Sequence, residues 1–126
     1  MGLVTEHIFW ILILSGVLTF SMVQAVFAPE RTIRSLFGET LPDSPAARLV
    51  IRSWGTVVAA GGVLLICAAF EPALREWVLI FLGFGKLCFA ALIFSAGKRY
   101  ARHQAMLAAV IDTGMVVLFA LYLSGA

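Results

Sequence analysis

Residues 77–97, WVLIFLGFGKLCFAALIFSAG, form a near-continuous apolar run with a single charge, Lys86, close to its middle. About twenty apolar residues is the length of one helix crossing the hydrocarbon core of a bilayer. An ammonium at that depth is costly unless something answers it. The other charge enclosed by an apolar run is Asp112, in the segment 105–123. The rest of the sequence reads as a scaffold that brings these two together.

Outward from that stretch, the composition sets the solvent. Of 126 residues, 62% are hydrophobic and the mean hydropathy is +1.03, against roughly 45–50% apolar content in soluble domains. One domain of this length, 1–126, cannot hide that much apolar surface from water, so lipid is part of its surroundings. The net charge is +2, with no basic run interleaved with aromatics, so nucleic-acid binding is not expected. Cys67 and Cys88 lie in apolar segments without CxxC or metal-ligand spacing, and read as reduced, packed thiols. No metal and no cofactor is expected.

Four spans follow from hydropathy: 8–27, 49–70, 77–97 and 105–123. Val23-Gln24-Ala25 mimics a cleavage site, but Glu6 and His7 stand where a signal peptide carries Lys and Arg, so the first run reads as a transmembrane helix. The long polar stretch 28–48 contains an amphipathic turn at 30–37, then the turn residues Gly38, Pro42, Asp43, Ser44 and Pro45. In the second span Gly55, Ala59, Gly62 and Ala69 make one face of small residues, which lets helix backbones approach closely in lipid. Leu65 is expected to face outward. The hinge 71–76 is short enough to force an antiparallel hairpin. In the third span Gly83, Lys86, Ala90, Ile93 and Gly97 share a face, and in the fourth Ala105, Ala108, Ala109 and Asp112 do. The expected fold is an all-α, integral membrane, up-down-up-down four-helix bundle. Arg31, Arg34, Arg48, Arg52, Lys98, Arg99 and Arg102, seven of nine basic residues, fall on one side of it. Positive residues stay cytoplasmic, so both termini face outward.

Counted inward from Lys98 and Arg102, Lys86 and Asp112 lie about 18 Å and about 15 Å deep at roughly 1.5 Å per residue. They share one depth, and Lys86 is too deep to snorkel out. The pair is either a proton, ion or ligand site or a structural pair that fixes helix register. Ser21 and Gln24, with Arg52 and Ser53, gather near the cytoplasmic boundary as a polar vestibule or as interhelical hydrogen bonds. His7 and His103 fall at opposite membrane faces and cannot ligate one haem. Trp10, Trp54 and Trp77, with Tyr100 and Tyr122, sit near span ends as interfacial anchors. Ser15, Thr19, Ser53, Thr56, Ser95 and Thr113 have no nearby His in the sequence, so no catalytic residue is assigned.

Phe27-Ala28-Pro29-Glu30 closing the first span, Leu36-Phe37-Gly38 in the loop, and Arg52-x-Trp54-Gly55 opening the second resemble the small four-helix bacterial membrane proteins of the DoxX-like group. The layout is also similar to the sterol-biosynthesis scaffold family of the eukaryotic endoplasmic reticulum, where an Arg-rich start of the second span and a Gly-His pair occupy places like Arg52 and Gly85-Lys86. These resemblances imply a scaffold or accessory role. The expected function is accordingly a multi-pass protein of the cell membrane, bacterial inner membrane, packing against itself or a larger membrane complex. A small solute, ion or proton-coupled transporter using Lys86 and Asp112 is the alternative, and a lipid-modifying membrane enzyme the second alternative.

Overall fold

In the computed structural model, four helices are long and apolar enough to cross a membrane. Helix α1 is Ile8–Phe27, α2 is Pro29–Phe37, α3 is Pro45–Phe70, α4 is Arg75–Ser95 and α5 is Gln104–Leu123. A helical turn, Leu3–Glu6, precedes α1. The structure describes residues 2–125, so Met1 and Ala126 of the expected 1–126 domain lie outside the described residues. The described residues form helices and turns without strands.

The boundaries follow local chemistry. Helix α1 tightens into a 3-10 stretch at Ser21–Val23, where the Ser21 hydroxyl donates back to the Leu18 carbonyl, a bond that competes with regular helix. Ala28 leaves the helical region, and Pro29 starts α2 at its first position, where a missing N–H costs nothing. Helix α2 buries Thr32, Ile33 and Leu36 and leaves Arg31 and Arg34 outward. Gly38, with φ +68°, ends it in the left-handed conformation, its N–H bonding the Arg34 carbonyl at 2.9 Å, as a helix C-cap glycine does. Helix α3 starts four residues before the expected 49. Ser44 caps it by accepting from the Ala47 N–H at 3.4 Å, with Pro45 at the first position. The Ser-Pro pair that reads as a turn is also a helix-start signature. Helix α4 ends at Ser95 rather than 97, because Gly97 takes φ +67°.

Helix α1 lies along α3 and α4 along α5, and the α3–α4 contact is lighter than either. The small face of α3 meets α1. A Cβ on Gly62 would stand 2.6 Å from the Gly16 carbonyl oxygen and run into the Phe20 backbone, and one on Gly55 would stand 2.7 Å from the Ala25 Cβ. Gly83 of α4 accommodates the Phe119 ring of α5, 3.7 Å from where its Cβ would be. Gly97 meets nothing within 4 Å, so the α4 face ends at Ile93.

Two further expectations are corrected. Leu65 is fully buried, not outward. It sits one turn from Gly62, and the α3 side that approaches α1 is wide enough to enclose both. Cys67 and Cys88 are free but exposed. They lie on the outer surface of the helices rather than packed within the chain.

The core divides into two apolar clusters. One gathers Ile8 and Leu12, Leu65, Ala68 and Ala69, Val78, Leu79 and Leu82, and Met115 and Phe119. The other gathers Leu36, Ala90, Ile93, Ala105 and Ala109, with Met22 and Trp54 packed against it. Arg75 closes α3 by donating from Nε to the Ala68 carbonyl at 2.8 Å and from Nη2 to the Ala69 carbonyl at 2.9 Å, which satisfies two orphan carbonyls of a helix C-terminus.

Candidate functional site

On three helices a polar residue falls between the two clusters: Thr19 between Leu12 and Met22, Lys86 between Leu82 and Ala90, Asp112 between Ala109 and Met115. The three meet. Lys86 Nζ donates to Asp112 Oδ1 at 3.1 Å and to Thr19 Oγ1 at 2.8 Å. The Thr19 hydroxyl donates onward to the Ser15 carbonyl at 2.7 Å. Lys86 and Asp112 thus form a direct ion pair, with side-chain exposures of 9% and 18%.

Thr19 is the member that sequence reasoning missed. It sits in an apolar helix interior where a back-bonded hydroxyl is unremarkable, and only the tertiary arrangement turns its lone pair toward Lys86. Because its proton goes to a backbone carbonyl rather than to a base, nothing activates it as a nucleophile. Chemically the cluster neutralises a buried ammonium with one carboxylate and one hydroxyl. A shallow apolar groove of about 570 Å³ runs between α1 and α5 beside it, along Ile11, Ser15, Leu18, Ile111, Met115 and Leu118.

Among the described residues, no side-chain hydrogen bond or ion pair joins the four expected vestibule residues to one another. Ser21, Gln24, Arg52 and Ser53 are all exposed, and the Ser21 hydroxyl is held by Leu18. Arg52 instead borders a separate groove with Glu30 and Arg48. Of the packing set, Gly55, Ala59, Gly62 and Gly83 are buried. His7 bonds the Leu3 carbonyl through Nδ1 at 3.0 Å, whereas His103 stands under Gly38 and beside the Tyr100 ring. Among the described residues no three His, Cys, Asp or Glu side chains gather as a metal site.

At the end of the molecule where α2 lies, the loops are tied. Arg99 Nη2 donates to Glu39 Oε1 at 2.5 Å, and the Tyr100 hydroxyl stands 3.4 Å from Glu39 Oε2. The Tyr100 ring packs edge-on against Phe37 at 5.2 Å. The Arg99 guanidinium holds the Glu39 carboxyl below its ordinary range, and Glu39 in turn raises Arg99.

Compared with known families, curated proteins and solved structures, the chain matches no family model and no significantly similar protein or structure.

Proposed function

We propose that the chain is a non-enzymatic scaffold or accessory subunit of the bacterial inner membrane, DoxX-like in layout, with four spans in up-down-up-down order and both termini outside. It works by helix packing against itself or a larger membrane complex. The observation that carries this reading is the closure of Lys86 on Asp112 and Thr19. The charge that would otherwise await a cargo is answered by two helices of the same chain, and it links the α1–α3 pair to the α4–α5 pair. A buried ion pair of this kind serves register more than stability. The α5 helix, the least buried of the four spans, supplies outward Leu107, Val110, Val117 and Leu121 for association.

Purification in mild detergent, with light scattering, tests this: a homo-oligomer or a stoichiometric membrane partner is expected. Flux through reconstituted liposomes should equal that of protein-free liposomes. The second reading, a small transporter, is favoured by one observation, the groove along α1 and α5 whose lining includes Ser15, the residue whose carbonyl accepts from Thr19. A monomer without a partner, or solute or proton flux that Asp112→Asn abolishes, would replace the scaffold with the transporter.

A further inference from the structure

A second groove, about 320 Å³, lies where α1 hands over to α2 and both meet the start of α3. One wall is apolar, made by Val26, Phe27 and Pro29, and the other is charged, made by Glu30, Arg48 and Arg52. Two of those charges answer each other: the Arg48 guanidinium holds the Glu30 carboxylate and stands 3.7 Å from Asp43 Oδ1. Arg52 enters no ion pair or side-chain hydrogen bond among the described residues. Its position in the opening turns of a spanning helix puts a guanidinium at the level where hydrocarbon gives way to headgroups. Phe27, 82% exposed, stands beside it, and Leu49 and Val50 continue the apolar surface at 67% and 64%.

We infer that this groove binds an anionic phospholipid, its phosphate on Arg52 and its acyl chain along Phe27 and Val26. The guanidinium fork matches a phosphate's paired oxygens, and basic grooves at the membrane boundary take anionic headgroups. The apolar wall selects a lipid over a soluble anion, which has no use for Phe27. The Glu30 carboxylate on the same rim opposes a second phosphate, so a singly charged headgroup such as a phosphatidylglycerol fits better than a polyphosphorylated one. Arg31 and Arg34, on the outward face of α2, add to the attraction without lining the groove. This inference does not depend on the scaffold reading, only on the chain lying in a bilayer.

The test uses the full chain in mild detergent at low salt, titrated separately with dioleoylphosphatidylglycerol, dioleoylphosphatidylcholine and glycerol 1-phosphate, and read by native mass spectrometry and thermal shift. Phosphatidylglycerol should bind several-fold tighter than phosphatidylcholine and raise the apparent Tm, while glycerol 1-phosphate should do neither. One interfacial Arg contributes about 1 kcal/mol, so R52Q should weaken phosphatidylglycerol roughly fivefold. R52K should fall between R52Q and wild type, and R102Q, in the exposed α4–α5 turn, should match wild type. Arg52 makes no side-chain bond, so the lipid-free Tm of R52Q should be unchanged; if it falls, the R52K affinity decides alone. Wild-type affinity in R52Q and R52K, an equal loss in R102Q, equal binding of phosphatidylcholine, or a matching shift from glycerol 1-phosphate would each overturn the assignment.

Discussion

Lys86 is 8% exposed and keeps two partners from two other helices, Asp112 supplying charge and Thr19 a lone pair. A lone charge at a helix centre costs roughly 2.5–3.5 kcal/mol on insertion scales, so removing one partner is worse than removing both. Lys86→Met and Asp112→Leu should each lower the apparent Tm in detergent, and the double variant should recover much of the loss. Thr19→Val keeps the ion pair but deletes one hydrogen bond to a charged group, about 1.5–3 kcal/mol, so it should fall between wild type and the single charge variants. Thermal unfolding of the four variants checks this. Strictly additive losses from Lys86→Met and Asp112→Leu would mean that the two side chains do not act on each other. The charged pair itself was legible in the sequence, because two ionisable residues inside apolar runs at one depth have few other solutions. Thr19 was not, because a hydroxyl in a transmembrane helix satisfies itself on its own backbone and leaves no pattern.

At the level of elements, the small residues of α3 define where α1 lies. The Gly62 backbone approaches Gly16 and Phe20 so closely that no Cβ fits between them without shifting one helix. Gly85 of α4 has nothing within 4 Å of its would-be Cβ. Gly62→Ala should therefore lower the apparent Tm even though alanine is the better helix former, whereas Gly85→Ala should leave it unchanged or raise it by the propensity difference, up to about 1 kcal/mol. Equal shifts in a detergent melt would remove the close-contact account. The existence of this face was readable from the spacing of Gly55, Ala59 and Gly62. Its partner was not, since a stripe of small residues suits any neighbouring backbone, and the short 71–76 hinge pointed toward α4. Leu65 shows the limit of such spacing arguments. A helix side wrapped by neighbours is broader than the stripe of glycines that marks it.

For the whole molecule, the polar ends are organised as firmly as the core. The Arg99–Glu39 pair and the Phe37–Tyr100 contact hold the 28–48 stretch against the turn before α5. Glu39 is depressed below its unfolded value chiefly by the Arg99 hydrogen bond. Its contribution is therefore complete above about pH 4.5 and lost as pH falls through the lowered value. Glu39→Gln at neutral pH should reproduce the acid effect, seen as faster hydrogen exchange at residues 98–103, corrected for intrinsic rates; unchanged protection would mean that the loops are held by packing alone. The same contacts gather Arg31, Arg34, Arg48 and Arg52 with Lys98, Arg99 and Arg102 at one end, while Arg75 stands at the α3–α4 hinge among the other polar residues. That asymmetry is the basis for the proposed orientation, because positively charged loops are retained on the cytoplasmic side. The proposed four crossings then predict both termini outside. An alkaline phosphatase fused at the C-terminus should be active and a green fluorescent protein fused there dark, with the reverse for fusions inserted after Gly38. Replacing Arg31, Arg34, Lys98 and Arg102 by Gln while adding three Lys within the 71–76 hinge should invert or mix the reporter signals. A fluorescent C-terminal fusion in the unaltered chain would mean either an odd number of crossings or an orientation set by something other than loop charge.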